Sequence, residues 1–363
     1  MTRPLRPADF QRASPRVEAV VAEGLPPCID RVADAGPRTH AFLRRGWFAA
    51  AVESYGGRPR TLVARLGETP VLALPFVAVG PRAFGLGSVP GCYWPFRGFP
   101  LAGADRAALA AALARLAGEL RCLHIGPVPD GDPCVAPLLA AARAGGWAAL
   151  DRFVADSWLF PLAEARRSGE WPRASTLKKN RYHEKRLGAH GPLDWRSASG
   201  DDWPAGFDRL ASVEERSWVS AETDGRDAKF TRAGHGRFWR AAARDQRLRG
   251  MMRAATLDVA GAPAAFSFDL VAGGVAYAIA NSYDPVYAGH SPGKLLHTRN
   301  LLDLAERGVR LVDWGMGDSG YKQVIGAAQG PAMRDWLLVR PGLPAALARR
   351  LAWLWARSGQ ARR

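Results

Sequence analysis

The chain has 363 residues, 48 % of them hydrophobic, and a formal net charge of +16 at pH 7. This length favours two domains of ordinary size, and no apolar run is long enough to be a membrane span. The charge favours an anionic partner, although it is almost all arginine, as codon bias would also produce. Four scattered cysteines, no signal-like start and no histidine–carboxylate motif predict a cytoplasmic protein without a disulfide or a metal site.

The first part of the chain alternates between helix and strand patterns, which is typical of an α+β fold. Residues 1–36 show little periodicity, and residues 80–100 are expected to form a long loop rich in glycine and aromatic residues. The predicted elements are a helix (Arg38–Ser54), a hairpin (Arg60–Leu66, Val71–Val79), a helix (Asp105–Leu120), a strand (Cys122–Ile125), a helix (Val135–Ala144) and a strand ending at Phe160. We assign residues 1–162 to a first domain.

Residues 163–190 break this pattern and are assigned to a basic connector. The segment Arg166–Arg186 has eight Lys or Arg against two Glu, mostly on a predicted helix from Ala174 to Leu187. Such a helix is either a solvated linker or a surface that contacts the phosphates of RNA or of a nucleotide-bearing substrate. In the second case Lys178, Lys179 and Arg181 are candidate substrate-binding residues.

The second half, residues 191–340, repeats the order of elements weakly, which suggests a duplicated domain. Its predicted elements are two helices (Asp201–Trp218, Gly234–Asp245), an antiparallel meander (Arg249–Val259, Ala264–Val271, Val275–Ser282), a helix from Ser291 to Gly308, and two strands (Val309–Trp314, Arg334–Val339). Residues 341–363 form a basic amphipathic helix. Such helices can lie on membranes, but most cap a domain, so we expect at most peripheral membrane contact.

The stretch Asn281–Lys322 carries the strongest functional pattern. Ser291 and Pro292 are favoured residues for a helix start, and Gly308 is typical of the position just past a helix end. The first amides of this helix, those of Gly293, Lys294 and Leu295, would be free to bind an anion, and Lys294 would add a charge. We therefore predict a diphosphate site, with an ordinary capped helix as the alternative.

Two consensus matches in this stretch fail on physical grounds. Residues 289–293 match G-x-S-x-G, but the residue after the serine must donate a backbone N–H and Pro292 has none. Residues 315–320 match G-x-G-x-x-G, but too little chain follows for the helix that such a site needs, and Asp318 would repel phosphate. A hydrolase and a Rossmann site are therefore rejected.

The residues together resemble the acetyltransferase domain of CelD-like GNAT proteins, which accompany bacterial polysaccharide and cell-envelope genes. The resemblance lies in the run Ser291–Leu296, in Gly308, in Asp313-Trp314-Gly315, in Tyr321-Lys322, in the helix end Glu215–Trp218 and in the basic helix Leu177–Leu187. The layout is also similar to Fem-type ligases, which carry two GNAT-like domains and take an aminoacyl group from tRNA. Across both halves the resemblance implies two GNAT-like domains, each a mixed, largely antiparallel sheet flanked by helices, with the first degenerate.

This resemblance also implies roles for residues. The loop before the central helix binds the donor diphosphate in GNAT enzymes, which here points to His290, Ser291, Gly293, Lys294 and Leu295. The loop keeps only one glycine of the usual pattern and adds a proline. Lys322 after Tyr321 matches the lysine that is thought to steady the reacting carbonyl in the Fem group. Trp218 belongs to the matching helix end and is a further candidate for substrate binding.

The predicted function is an N-acyltransferase that moves an acyl group from acetyl-CoA or another acyl-CoA to an amine of a small-molecule, sugar or envelope-linked acceptor. Lys322 would face the developing oxyanion, Asp313 or Asp318 would position or deprotonate the amine, and Tyr283 or Tyr321 would protonate the leaving group. Asp313 is equally well explained as a structural acid. The alternatives are transfer from aminoacyl-tRNA and a non-catalytic binding protein; no motif supports DNA binding.

Overall fold

The structure is a computed structural model that describes residues 16–217, 225, 227–317 and 320–358. The described strands form one twelve-stranded sheet flanked by helices. The strands are β1 (Val17–Glu23), β2 (Pro59–Leu66), β3 (Thr69–Ala78), β4 (Leu86–Ser88), β5 (Cys122–Pro129), β6 (Ala148–Phe160), β7 (Leu193–Ser199), β8 (Met252–Val259), β9 (Ala262–Ala272), β10 (Val275–Tyr283), β11 (Leu311–Met316) and β12 (Ala328–Val339). The predicted α+β fold class with a largely antiparallel sheet is confirmed.

Helices cover the sheet on both sides. They are α1 (Cys28–Ala35), α2 (Arg45–Tyr55), α3 (Arg106–Ala117), α4 (Val135–Ala144), α5 (Leu162–Arg167), α6 (Ala174–Leu187), α7 (Ala205–Arg216), α8 (Gly236–Ala242), α9 (Gln246–Met251), α10 (Pro292–Glu306), α11 (Tyr321–Val324), α12 (Leu343–Arg350) and α13 (Ala352–Ser358). None of these described helices is long and apolar enough to cross a membrane.

The two halves of the sheet have the same arrangement: from either edge, five strands that are consecutive in the chain are followed by one strand from the other half. From one edge it runs β1-β2-β3-β4-β5-β12, and from the other edge it runs β7-β8-β9-β10-β11-β6. In each half the fourth and fifth strands are parallel and the remaining neighbours are antiparallel. The two halves have therefore exchanged their last strands, and the exchanged strands β6 and β12 pair with each other at the centre.

Neither edge strand was predicted from the sequence. β1 falls within the stretch that shows little periodicity, and β7 precedes the predicted helix at Asp201. An edge strand has one neighbour and a largely solvated face, so its apolar signal is weak. The residues of β1 and β7 indeed alternate between half-buried and exposed and none is buried. A short helix, α9, also replaces the start of the strand predicted at Arg249, because the Asp245 carboxylate caps its first amides.

The sheet has two distinct faces near β10 and β11. On one face, which we call the α10 face, Leu301 and Leu304 of α10 pack against Val312 and Trp314. On the other face, which we call the inner face, Tyr277 lies in a large core cluster that joins both halves of the chain. Phe42 and Phe96 of the first half contact the Tyr277 ring there, at centroid distances of 5.7 and 5.9 Å.

The exchange of strands predicts one cooperative unfolding transition for the whole chain. Residues 1–162 would lack β12 and residues 191–340 would lack β6, so neither part has a complete sheet by itself, and the division at residue 162 stays a prediction. We expect near-ultraviolet circular dichroism, tryptophan fluorescence and calorimetry to give one coincident transition in the intact chain. Two resolved transitions would show instead that the halves are stable independently.

Candidate active site

Strands β10 and β11 part midway along their length. Their parallel pairing covers only Val275–Tyr277 and Leu311–Asp313. Beyond that point, β10 has an irregularity against β9 between Ala278 and Ala280, and β11 has one against β6 between Asp313 and Met316. Because β10 continues to Tyr283 and β11 to Met316, the parted ends leave an opening in the sheet.

A tryptophan from the first half closes this opening on the inner face. The indole N–H of Trp94 donates to the carbonyl of Ala278 at 3.1 Å. On the other side, a Cβ added to Gly315 would lie 2.4 Å from the Trp94 ring, so only glycine leaves room for the indole. Trp94 is 5 % exposed and belongs to the inner-face core. This role of Trp94 was not predicted, because the sequence places the residue only within a long loop.

The loop predicted to bind the donor leads into the N-terminus of α10. Ser291 has φ 53° and ψ 47°, a left-handed conformation that is uncommon for a non-glycine residue, and its side chain makes no capping hydrogen bond. The amides of Lys294 and Leu295 donate to the Ser291 carbonyl at 3.0 and 3.2 Å. The prediction that these two amides are free is therefore wrong, whereas the Gly293 N–H has no partner among the described residues. The start of the helix at Pro292 and its end before Gly308 are confirmed.

Side chains of this loop point in different directions. The His290 Nε2 shares a hydrogen bond with the His190 Nε2 at 2.9 Å. Leu295, in the first turn of α10, is buried on the side of the helix that faces the sheet. Tyr283, at the end of β10, lies beneath Gly293, since a Cβ on that glycine would be 3.3 Å from the Tyr283 ring. Of the residues predicted to bind the donor, Lys294 is exposed and Leu295 has an interior packing role.

The predicted basic connector packs alongside α10. The Asn180 amide of α6 donates to the Thr298 hydroxyl at 2.9 Å, and Arg299 pairs with Glu184 at 2.6 Å. The buried side chain of Leu187 joins the cluster under α10. The helix is therefore fixed on one side, while its basic residues Lys178, Lys179 and Arg181 are exposed.

This packing brings basic groups of α6 close to the N-terminus of α10. Partial burial lowers the pKa of His183, and the nearby Lys179, Lys294 and His290 lower it further. These four residues, which we call the cationic rim, thus lie in one region, where Lys179 and Lys294 supply positive charge and the two imidazoles supply ring nitrogens. A positive region at a helix N-terminus attracts anions through both side chains and the helix dipole. His183 was not predicted, because its contacts join segments that are distant in sequence.

Asp313 lies on the inner face beside the opening. Its carboxylate accepts the Gly315 N–H at 2.9 Å, and Tyr277 is its neighbour across the β10–β11 pairing. The residue keeps some exposed surface, but enclosure of the carboxyl group raises its pKa to about 6, against the opposing effects of that hydrogen bond and of Lys322. A carboxyl group with this pKa is ionised at neutral pH and can accept a proton.

Lys322 holds the end of β11. Its side chain is 5 % exposed, and its ammonium donates to the carbonyls of Gly315, Met316 and Gly317 at 3.1, 3.0 and 2.6 Å. In this arrangement its protons point at the backbone turn, so a role toward a reacting carbonyl stays a prediction. Tyr321 opens α11, while Asp318 and Trp218 lie outside the described residues.

Unpredicted polar groups lie between α10 and the sheet. The His297 ring stacks on Trp314 with centroids 4.2 Å apart, and burial lowers the pKa of His297 to about 4. The Nε2 of His297, the Nε1 of Trp314 and the Oδ1 of Asn281 are buried without a hydrogen-bond partner among the described residues. Buried polar atoms of this kind are normally paired, so they favour a polar ligand or water along the α10 face.

The helix end that resembles the family motif is tied to the same loop. Arg216, the last residue of α7, donates to the Asp284 carboxylate at 2.7 Å. Asp284 in turn caps the short 3₁₀ turn Pro285–His290 that leads to Ser291. Glu214 is buried, and its carboxylate accepts hydrogen bonds from the backbone amides of Lys229 and Phe230. Through Arg216 and Asp284 this helix end holds the turn that precedes α10.

One group of described residues has the chemistry of metal ligands. The side chains of His40, Asp132 and Cys134 have ligand atoms within 4.8 Å of one another. Asp132 already bonds His40 at 2.8 Å and caps α4 through the amides of Cys134 and Val135. Since both carboxylate oxygens are satisfied, the group is explained as a buried helix cap.

The contact between Gly315 and Trp94 can be tested by stability measurements. Gly315→Ala adds a methyl group that meets the indole and also places alanine at φ +82°, so we expect the free energy of unfolding to fall by about 2–4 kcal/mol. Gly317→Ala is the matched control, because Gly317 has φ +71° but open space around it. It should lose only about 1 kcal/mol. If urea titrations give equal losses of stability for the two variants, the Trp94 ring does not pack closely against Gly315.

Comparisons with known proteins agree on the fold. The family model described as Acetyltransferase (GNAT) domain matches residues 174–323, from the start of α6 into α11. FemX is similar at a TM-score of 0.60 with 12 % identity, over 89 % of this chain and 97 % of that chain. A conserved protein of unknown function from Bacteroides thetaiotaomicron VPI-5482 is similar at 0.54 with 11 % identity, over 88 % and 99 % of the two chains.

L-PGS from Bacillus licheniformis is similar at a TM-score of 0.51 with 13 % identity, over 94 % of this chain and 98 % of that chain. A search of curated proteins gave no match. At these identities the likeness to solved structures establishes the fold and nothing more. The chain therefore carries a GNAT-type acetyltransferase domain, set within an architecture that it shares along nearly its whole length with FemX.

Proposed function

We propose that this protein is an N-acyltransferase that moves an acyl group, acetyl in the simplest case, from acyl-CoA to an amine. The acceptor would be a small molecule, a sugar or an envelope-linked group, in keeping with the resemblance to CelD-like proteins, which accompany polysaccharide and cell-envelope genes. The observation that carries the proposal is the opening between β10 and β11 beside the N-terminus of α10. Along this pair of strands lie the positive region at the start of α10, the unpaired polar atoms on the α10 face and the Asp313 carboxyl group, which can accept a proton.

The cationic rim supports a donor that carries phosphates. Lys179, His183, His290 and Lys294 lie near one another beside the start of α10, and Lys179 and Lys294 have no ion-pair partner among the described residues. The donor diphosphate would be held there, with the Gly293 N–H as a backbone donor. The unpaired polar atoms of His297, Trp314 and Asn281 would meet the amide groups of the donor arm.

The chemistry requires little beyond positioning. The donor supplies an acyl group that is already activated as a thioester, so a nucleophilic side chain is not needed. Asp313 would accept the proton of the acceptor amine at its carboxylate. Lys322 would fix the turn that borders the reacting carbonyl, and Tyr283 or Tyr321 would return a proton to the departing thiol. Trp94 would close the far end of the opening and limit the size of the acyl group.

Transfer from aminoacyl-tRNA is the second candidate function. The observation that favours it is the exposed basic surface of α6, where Lys178, Lys179 and Arg181 extend the positive region away from α10. Fem-type ligases, whose layout of two GNAT-like domains this chain resembles, use that donor. In this reading the rim binds the phosphates near the acceptor end of tRNA instead of a diphosphate. A non-catalytic binding protein is the third candidate.

A comparison of donors tests the proposal directly. The purified protein should release free thiol from acetyl-CoA in the presence of a suitable amine from a panel of amino sugars, amino acids and diamines. Lys179→Ala and Lys294→Ala should each raise the KM for acetyl-CoA by about tenfold with kcat little changed, because each removes a charge-assisted contact to phosphate. Lys185→Ala is the control, since Lys185 lies on α6 outside the cationic rim and should behave as the wild type.

The outcomes separate the three candidates. Label transfer from charged tRNA that is abolished by RNase, without thiol release from acetyl-CoA, would assign the protein to the second candidate. Saturable acetyl-CoA binding in calorimetry without turnover would favour a binding protein, or an acceptor missing from the panel. A lack of binding to either donor would overturn the proposed site itself.

The raised pKa of Asp313 predicts the pH dependence of the reaction. Below about pH 6 the carboxyl group is protonated and cannot accept the amine proton, so kcat/KM should rise with pH through an apparent pKa of about 6. Asp313→Asn should remove this limb and lower the rate on the order of 10²–10⁴-fold. Asp269→Asn is the control: burial also raises the Asp269 pKa to about 6, but that carboxylate is bonded to Asn300 on the α10 face. A limb that persists in Asp313→Asn would exclude Asp313 as the base.

A further inference from the structure

The chain after β12 forms two consecutive short helices, α12 and α13, that are fixed to the sheet by one side. Ala345 is buried against Ala148 and Val339. Arg349 donates to the carbonyls of Gly146 and Trp147 at 3.0 and 3.1 Å. The Arg152 guanidinium lies 4.3 Å from the Trp355 ring centroid and bonds the Ser358 hydroxyl. The orientation of the two helices is therefore set by specific contacts.

The other side of these helices presents large apolar side chains to solvent. The exposed fractions are 72 % for Leu343, 50 % for Leu347, 51 % for Leu351, 53 % for Trp353 and 48 % for Leu354. We define these five residues as the outer stripe. A helix that merely caps a domain buries its leucines, but here alanines, Arg349 and Trp355 make the docking contacts and the leucines do not. Capping therefore does not explain the leucines.

The segment that carries the outer stripe has charged side chains of positive sign only. Residues 341–363 contain no Asp or Glu. Arg350 is exposed, and Arg357 lies over the Trp353 ring at 5.2 Å. Leucines and a tryptophan on the outside of a helix, with flanking arginines, are the combination that binds the interface of an anionic bilayer, because the apolar groups enter the headgroup region and the arginines meet lipid phosphates.

We propose that the outer stripe docks the protein onto the surface of an anionic lipid membrane, with α12 and α13 lying in the interface. Charge argues against other occupants of the stripe. Residues 1–15 carry three arginines against the single acid Asp9, so that segment is also positive. A second copy packed symmetrically on the stripe would bring Arg350 and Arg357 close to their own counterparts. The net charge of +16 adds a long-range attraction to anionic lipid.

Vesicle sedimentation with the full-length protein tests this docking. The protein should sediment with phosphatidylcholine vesicles that contain about 30 % phosphatidylglycerol, much less with pure phosphatidylcholine, and less as salt is raised. Leu347→Ser with Leu354→Ser should weaken the partition coefficient on the order of a hundredfold, because each leucine contributes on the order of tenfold. Arg350→Gln with Arg357→Gln should weaken binding to the anionic vesicles only.

A matched control uses exposed apolar residues of the first half. Val79 and Phe84 are 47 % and 57 % exposed, so Val79→Ser with Phe84→Ser removes a comparable apolar surface and should leave vesicle binding unchanged. Circular dichroism should show that all variants are folded. Absence of vesicle binding by the wild type, or equal loss in the control, would overturn the proposal. A leucine variant that sediments as the wild type but loses a dimer in light scattering would identify a second copy as the occupant instead.

Discussion

The arrangement of the site depends on the parting of β10 and β11 after Tyr277 and Asp313. Parted strands leave backbone groups without their ladder partners, and unpaired backbone groups are costly when buried. Two side chains remove part of that cost here. Trp94 donates to the Ala278 carbonyl, and Lys322 donates to three consecutive carbonyls at the end of β11. The opening is therefore a stable feature of the fold, and it does not require a ligand to hold it apart.

The first half of the chain contributes directly to this site. Trp94 enters from its long loop, and β6 supplies the strand that flanks β11 on the side opposite β10. The exchange of β6 and β12 means that the half containing the GNAT domain has a complete sheet only with a strand from the other half. The second half therefore depends on the first half both for its packing and for the shape of the candidate site.

Local signals allowed the sequence to predict much of the second half, and non-local contacts explain what it missed. The start of α10 at Ser291-Pro292 and its end before Gly308 follow from residue preferences at helix ends, and both were confirmed. The contact of Trp94 with Gly315 and the packing of α6 on α10 join segments that are remote in sequence, so periodicity carries no information about them. The prediction of free Lys294 and Leu295 amides was wrong because both amides donate to the carbonyl of the N-cap residue Ser291, and the N-cap carbonyl ordinarily accepts the first hydrogen bond of a helix.

The positive charge of the described residues is partly paired with acids and partly uncompensated. Many arginines are neutralised locally: Arg44 pairs with Asp34, Arg209 with Asp258 and Arg253 with Asp303. Such pairs are spread across the fold, as a bias in composition would produce. Within the described residues, Lys179 and Lys294 of the cationic rim and Arg350 and Arg357 beside the outer stripe have no acidic partner. At the start of α10 these cations accompany a helix N-terminus, and at the outer stripe they accompany exposed apolar side chains. Each place combines uncompensated charge with a second feature that suits a phosphate-bearing ligand.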